Sequence, residues 1–451
     1  MKQSLPLEFR ERMKNRFPDN EYQIFINSLD EPPVKSVRVN PRKSGHNSVT
    51  NQPVPWCEYG FYLDHKPVFT LDPLFHAGTY YPQEASSMVL WYLLKHIESE
   101  DGNNLTVLDL CGAPGGKSTL IASFLNENGL LVANEVIRSR AKILQENIIK
   151  WGAPNVVVTQ SDPCDFGKLP GIFDVMVVDA PCSGEGMFRK GDIARNEWSV
   201  ENTRICSERQ KRILKASWHA LKEKGWLVYS TCTFNSSENE EILNWLINEK
   251  GARVLKLEVP EAWGITTVSV GEGNGLAFFP HKVKGEGFFV ALLQKTEESK
   301  PVKPPKSSGK KISVPSGVKR LVKASENFFF EENAQVWNAF PGRSQKTLSV
   351  LKKHLNVLHS GLKLGVTGRK GFVPDQCLAM SWVRSDQFPE IELSKETALR
   401  YLKGESITGV SGKSLGFYLV TCNRIPLGFV KNVGNRFNNL YPKEWRIRMN
   451  I

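Results

Sequence analysis

No stretch of the 451 residues approaches the roughly 18–20 consecutive apolar positions that a membrane helix needs; the longer pure runs are pieces such as FFVALL. The opening MKQSLPLEFRERMKNRF is broken by charges throughout, so the apolar core of a secretion signal is missing. The eight cysteines (57, 111, 164, 182, 206, 232, 377, 422) form no CxxC pair and no Cys/His grouping with zinc spacing. These absences lead us to expect a soluble chain in a reducing cytoplasm, with no membrane partner, no metal and mostly plain buried thiols. At 40% hydrophobic and 24% charged, the composition also excludes collagen-like, disordered and disulfide-scaffold classes. Internal repeats are absent too, and the length predicts two to four domains.

Charge is unevenly placed. The whole chain carries +12, yet residues 1–300 hold 34 Lys+Arg against 37 Asp+Glu, whereas 301–451 hold 25 against 10. A basic appendage on a near-neutral body suits a phosphate-backbone partner, because each neutralised phosphate releases counterions. Part of the excess is SKPVKPPKSSGKKISVPSGVKR (299–320), read as a flexible or extended connector. Beyond it, 321–451 keeps 19 basic against 10 acidic residues, so the asymmetry survives removal of the linker.

The middle of the chain alternates buried-strand runs with amphipathic helices. TVLDL (106–110), LLVANEV (130–136), VVVTQSD (156–162), VMVVDAP (175–181) and WLVYSTC (226–232) read as strands, KSTLIASFLNEN (117–128) and RSRAKILQENIIKW (138–151) as helices. This predicts an α/β fold: right-handed crossovers and a mostly parallel sheet, Rossmann-like, with helices on both faces. Ligands bind such sheets outside the carboxyl ends of the strands, so Asp109, Cys111, Glu135, Asp162, Asp179 and Cys232 are expected to converge there. GEGFFVALLQK (285–295) looks like a closing strand. Residues 1–105 read as a Pro-punctuated accessory module, 325–385 as a small α/β piece, and 386–451 as short strands and turns of a small β-barrel.

LDLCGAPGGKSTLIA (108–122) runs strand, glycine loop, helix. A Walker A loop would need glycine at 111, which is Cys, and the loop does not satisfy GxGxxG, so nucleotide-phosphate binding is disfavoured. A loop of the class I S-adenosylmethionine type remains, in which backbone closely approaches the cofactor. Glu135 ends the next strand, where a carboxylate can accept both ribose hydroxyls, and Asp162 ends the one after, within reach of an adenine amino group. One such carboxylate alone would be taken for a helix cap; three in succession point to a cofactor.

VVDAPCSGEGMFRK (177–190) and VYSTCTFNSSENEE (228–241) each place a cysteine just past a strand end, in polar rather than apolar company. The NSSENEE stretch opens a helix, whose N-terminus would favour thiolate at Cys232. Thiolate, acid and methyl donor in one crevice suit C5 of cytosine, which is too weak a nucleophile on its own. Adding a thiolate to C6, with an acid at N3, makes C5 enamine-like; a base must then remove the C5 proton. Asp179 is placed for the acid role. These residues alone do not say which cysteine attacks.

CGAPGGKS, NEVIRSRA, DAPCSGEGMFRK, STCTF and GEGFFVALLQK, with SVRVNPRK and AGTYYPQEASS upstream, closely resemble the Nop/Sun family of RNA cytosine-C5 methyltransferases, particularly its RsmF-type 16S rRNA members. The resemblance covers roughly 1–295, and YLKGESI, PLGFVKN and YPKEWRI resemble the PUA-like RNA-binding domain of that type. It implies a class I methyltransferase sheet at 101–298, an N-terminal accessory RNA-binding module at 1–100, a linker at 299–320, a small domain at 321–385 and a PUA-like domain at 386–451. By the same resemblance Cys232 is the nucleophile and Cys182 assists product release, whereas cytosine-C5 enzymes acting on DNA attack with the cysteine of the PC motif. Cofactor contacts carry over to Cys111, Gly112, Ala113, Pro114, Gly115, Gly116, Lys117, Glu135, Asp162 and Asp179. Gly112 stands where many members have alanine, a small-for-small exchange. The implied partner is 16S rRNA or the small subunit, bound by a monomer. The same chemistry on tRNA and a non-catalytic assembly factor are the alternatives. Deleting 321–451 is expected to weaken RNA binding and leave cofactor affinity nearly intact.

Overall fold

Five Val- and Leu-rich runs form the parallel centre of a ten-stranded sheet: β1 (Thr106–Asp109), β2 (Leu130–Asn134), β3 (Val156–Thr159), β4 (Phe173–Asp179) and β5 (Leu221–Thr231), in the order β3-β2-β1-β4-β5. The computed structural model describes residues 4–43, 52–65, 67–97, 104–297, 313–369, 371–407 and 413–449. β2 and β3 are buried along their whole length, as parallel strands covered on both faces must be. The covering helices are α1 (Gly116–Phe124), α2 (Arg138–Trp151), α3 (Val200–Ser217) and α4 (Glu240–Lys250). α2 matches the range its spacing predicts and turns Ala141, Leu144, Ile148 and Trp151 inward. Left-handed Gly152 (φ 90°) ends it.

Beside β5 the sheet becomes antiparallel. β6 (Thr266–Val270), β7 (Gly273–Phe278) and β8 (Phe288–Lys295) follow in the order β6-β7-β8-β5. The expected closing strand, β8, is therefore interior. The hairpin β6–β7 covers it, and the short strand Ala252–Val254 also pairs with it.

The opposite edge holds a larger departure from expectation. β9 (Val357–Ser360) pairs antiparallel with β3, Val357 against Thr159 and Ser360 against Val157. Residues 321–385 are thus not a free-standing small domain. Phe340, Leu348, Leu351 and Leu355 belong to the same apolar core as Phe166 and Leu221, and Leu321, Val322 and Leu378 pack with Leu419 and Phe429 of the last segment. Of the expected linker, 299–312 lies outside the described residues. Its end is not extended: Ser316–Lys319 is one helical turn with Val318 buried.

The N-terminal residues share their core with the sheet as well. Helices Leu7–Arg16 and Asp19–Ser28 bury Phe9 and Phe25 against Phe188, Phe234 and Phe279; Phe9 meets Phe188 edge-on at 5.0 Å, and Phe25 meets Phe234 edge-on at 5.2 Å. Such pairs add about 0.5–1.5 kcal/mol each beyond area burial. Because Phe188 and Phe234 lie in the two cysteine-bearing segments, these helices brace the loops that carry the sulfurs. The last segment is a four-stranded sheet (Glu390–Glu392, Gly416–Cys422, Ile425–Asn432, Phe437–Asn439) with helix Lys395–Leu402 on it, and its core includes Ala77 of the N-terminal part. No helix among the described residues is long and apolar enough to cross a membrane.

Candidate active site

The carboxyl ends of β1, β4 and β5 open on a cleft of about 430 Å³. Cys111–Pro114 and Lys117 form one wall, Asp179 and Cys232 the floor, and Tyr81, Gln83 and Phe288 the opposite side. This is the crevice that parallel topology predicts. A larger cleft of about 620 Å³, between α2 and the C-terminal segments at Ile149, His359 and Trp445, contains neither sulfur.

The glycine loop is held from several sides. The Gly112 amide donates to the Asn134 carbonyl (2.7 Å), Arg140 Nη2 donates to Ala113 O (2.9 Å), and Asn147 Nδ2 donates to Pro114 O (2.8 Å). Gly115 (φ 119°) starts α1 in a conformation that L side chains rarely adopt. A Cβ on Gly112 would meet Ser118 Oγ at 2.7 Å, so alanine there is not the neutral exchange that size alone suggests. Buried Arg38, stacked over Trp151 at 4.5 Å, donates to Gly116 O and Thr119 Oγ1. The sequence reading passed over Arg38, although its place in SVRVNPRK was the available signal.

Lys117 and Asp179 form an ion pair, Nζ to Oδ2 at 2.8 Å, and Ser230 Oγ donates to Asp179 Oδ1 at 2.8 Å. Burial alone would lower the Lys117 pKa, but Asp179, Asp109 and Cys232 together more than reverse this and keep the ammonium charged. Burial pushes the Asp109 carboxyl up to about 7 despite the hydrogen bond from Ser118 (2.6 Å). Cys111 is also driven far up by burial, so it holds its proton. Glu135 is buried, accepts from the Ile137 amide (3.0 Å) and lies 3.5 Å from Arg140. β3 stops at Thr159, and Asp162 is exposed three residues later, capping a short helix by accepting from Cys164 N (2.9 Å). The structure thus brings Cys111, Asp179, Lys117 and Cys232 together at the cleft, while Glu135 and Asp162 stand outside its lining.

Cys182 Sγ and Cys232 Sγ are 3.0 Å apart, and the Cys232 amide donates to Cys182 Sγ at 3.3 Å. The Cys182 thiol is held well above its usual pKa, first by its hydrogen bond to Cys232, then by burial and by negative Glu238. Either sulfur can be the donor in the bond between them. α4 begins only at Glu240; the charge facing Cys232 is the Lys117 ammonium rather than a helix terminus. Buried Glu185 and Glu238 behind the sulfurs were not singled out in the sequence, where both stand in polar runs.

The residues fit S-adenosyl-L-methionine: Gly112 and Gly116 line the cleft without side chains between loop backbone and ligand, and buried Glu135 follows β2 just outside the lining. No group of three or more His, Cys, Asp or Glu able to hold a metal exists among the described residues. Family profiles match residues 5–85 as the N-terminal domain of 16S rRNA methyltransferase RsmF, 96–294 as 16S rRNA methyltransferase RsmB/F, and 388–447 as the methyltransferase RsmF PUA domain. The chain is 32% identical to ribosomal RNA small subunit methyltransferase F of Erwinia tasmaniensis, over 97% of this chain and 96% of that one, and equally so to that of Escherichia coli O9:H4. Among solved structures, NSun6 from Pyrococcus horikoshii with SFG superposes with a TM-score of 0.56 at 22% identity, over 65% of this chain and 99% of that one. A methyltransferase homolog from the same organism gives 0.52 at 26% identity, over 64% and 98%. The chain therefore belongs to the RsmF family of S-adenosyl-L-methionine-dependent ribosomal RNA methyltransferases.

Proposed function

We propose that the enzyme methylates C5 of cytosine in 16S rRNA through a covalent bond between Cys232 and C6. The observation that carries this reading is Cys232 at the floor of the cleft that the glycine loop borders, with the Cys182 sulfur 3.0 Å from it. Cys232, its thiol proton given up to water, attacks C6 as the thiolate. The Lys117–Asp179 pair, which shares a proton across 2.8 Å, delivers that proton through Asp179 to N3, leaving an enamine at C5. When bound, S-adenosyl-L-methionine supplies the methyl group as a sulfonium-borne electrophile. Water then takes the C5 proton; the C–H electrons close the C5–C6 double bond, the C6–S pair returns to Cys232, and N3 gives its proton back through Asp179 to the Lys117–Asp179 pair. Cys182, still carrying its proton, donates a hydrogen bond to the departing thiolate. Phe288, on the cleft wall and 5.0 Å from Lys117, offers a face for the base.

Bisulfite sequencing of cellular RNA tests the substrate. Deleting the gene is expected to remove protection at specific 16S cytosines. Protection lost from tRNA instead would move the substrate, and protection unchanged everywhere would sink the reading.

The last segment we propose as the RNA-binding part. Lys413 lies over Tyr418 at 5.6 Å, Lys431 over Phe417 at 5.2 Å, and Arg436 donates to Asn438, opposite Lys431. Replacing Lys413, Lys431 and Arg436 by alanine is expected to weaken RNA binding about tenfold and to lower the slope of log K against log salt by about 2. Cofactor affinity, measured by calorimetric titration, should not change. RNA affinity equal to wild type would reduce the charge asymmetry to solvation.

A further inference from the structure

We infer that Glu238 divides the labour between the two sulfurs, holding Cys182 as the proton-bearing partner and Cys232 as the nucleophile. The inference rests on the proposed chemistry and supplies its missing determinant. Locally the two cysteines are near-equivalents: each follows a strand of the parallel sheet and each flanks a hydroxyl residue, Ser183 or Thr233. What differs is the charge on either side.

Cys232 faces the Lys117 ammonium, with Asp179 behind it and the Cys206 thiol farther back. Cys182 faces Cys232, the Glu238 carboxylate and the Tyr229 phenol. Glu238 is completely buried. It accepts from the Ser183 amide (3.0 Å), Asn235 Nδ2 (2.7 Å) and Gln210 Nε2 (2.8 Å), and Gln210 Nε2 also donates to Pro181 O (3.0 Å). Ser183 N–H is the peptide that follows Cys182, so the donor best placed to steady a thiolate there is occupied by a carboxylate instead. The Cys232 amide acts in the opposite sense on Cys182 Sγ, but the sulfur–sulfur bond, burial and Glu238 outweigh it. Burial also raises Glu238 above the usual carboxylate range, while the Asn235 and Ser183 donors pull it back.

Glu185 supplies the natural control. Equally buried, it reaches the other way across the two loops, accepting from Phe234 N (2.8 Å), Asn235 Nδ2 (3.2 Å) and Trp198 Nε1 (2.9 Å). Each cysteine loop thus lends a carboxylate to its neighbour, but only Glu238 grips the peptide after Cys182. Glu238 is a positioning residue: it acts on the cytosine through the sulfurs, and on release by keeping a proton on Cys182 for the departing thiolate.

The test is alkylation by iodoacetamide from neutral to mildly alkaline pH, with each cysteine quantified by mass spectrometry. In the wild type Cys232 is expected to react about tenfold faster than Cys182, since the thiolate is the reactive form. Glu238→Gln should raise the Cys182 rate about fivefold or more, whereas Glu185→Gln should leave the ratio within about twofold. With RNA, Glu238→Gln should keep KM, lose kcat and accumulate covalent protein–RNA adduct. A wild-type ratio in Glu238→Gln overturns the inference. Should that variant not fold, the wild-type pH profile decides alone: Cys182 becoming reactive at lower pH than Cys232 overturns it. If the alkylation behaves as expected but the wild type forms no 5-methylcytosine, the proposed function fails instead.

Discussion

Cys232→Ala is expected to abolish methyl transfer, lowering the rate by about 10⁴-fold or more, which corresponds to about 5.4 kcal/mol of barrier. The loss is large because no other group in the cleft can take over. Cys111 lines the same wall, but burial holds its proton in place. Cys182 is only 3.0 Å away, and although the variant removes its bond to Cys232, burial and Glu238 still raise its thiol. Without a sulfur on C6, C5 stays an aromatic carbon and cannot accept the methyl group. The companion variant Cys182→Ala should behave differently: attack and transfer proceed, release stalls, and protein remains joined to RNA through a denaturing gel. An adduct in Cys232→Ala and none in Cys182→Ala would reverse the two roles.

The second large effect concerns a region remote from the chemistry. A chain ending at residue 320 is expected to fail to fold and to bind no cofactor, contrary to what the composition of the tail suggests. Removing 321–451 strips β9 from β3, including the hydrogen bonds from Gln160 N to Asn356 O and from Gly361 N to Val156 O, both 2.9 Å. It also takes Phe340, Leu348, Leu351 and Leu355 out of the main core. Each such side chain contributes about 1.5–3 kcal/mol by burial, so four approach the whole net stability of about 5–15 kcal/mol for a domain. Calorimetry and cofactor titration of residues 1–320 check this. A cooperative transition near the wild-type temperature with unchanged cofactor affinity would show that β9 is dispensable.

The contrast shows what this sequence makes legible. Val156, Val157 and Val158 are buried on both faces of a parallel strand, so an uninterrupted apolar run announces them; the five central strands and α2 follow from such runs and from helical spacing. Val357–Ser360 is short and only partly buried because its partner lies on one side, and nothing periodic marks it. β6 and β7 escaped notice because alternating Thr, Ser, Gly and Asn residues resemble a loop until β8 covers one edge of the hairpin. The cysteines were legible from their position after strands. Their difference was not, since it depends on Lys117 and Glu238, which lie 115 and 6 residues from Cys232 along the chain. Asp162 is read as a strand-end carboxylate, whereas the strand stops at Thr159 and Asp162 caps the short helix Pro163–Phe166.

The β3–β9 pairing also constrains how the protein is made. Thr159 leaves the ribosome nearly two hundred residues before Val357, its cross-strand partner. Until then the nascent sheet carries an open, Val-rich border, the kind that recruits foreign strands. Slow synthesis or a stall between those positions should therefore increase demand for chaperones, and swapping of β9 between two chains is the expected misassembly.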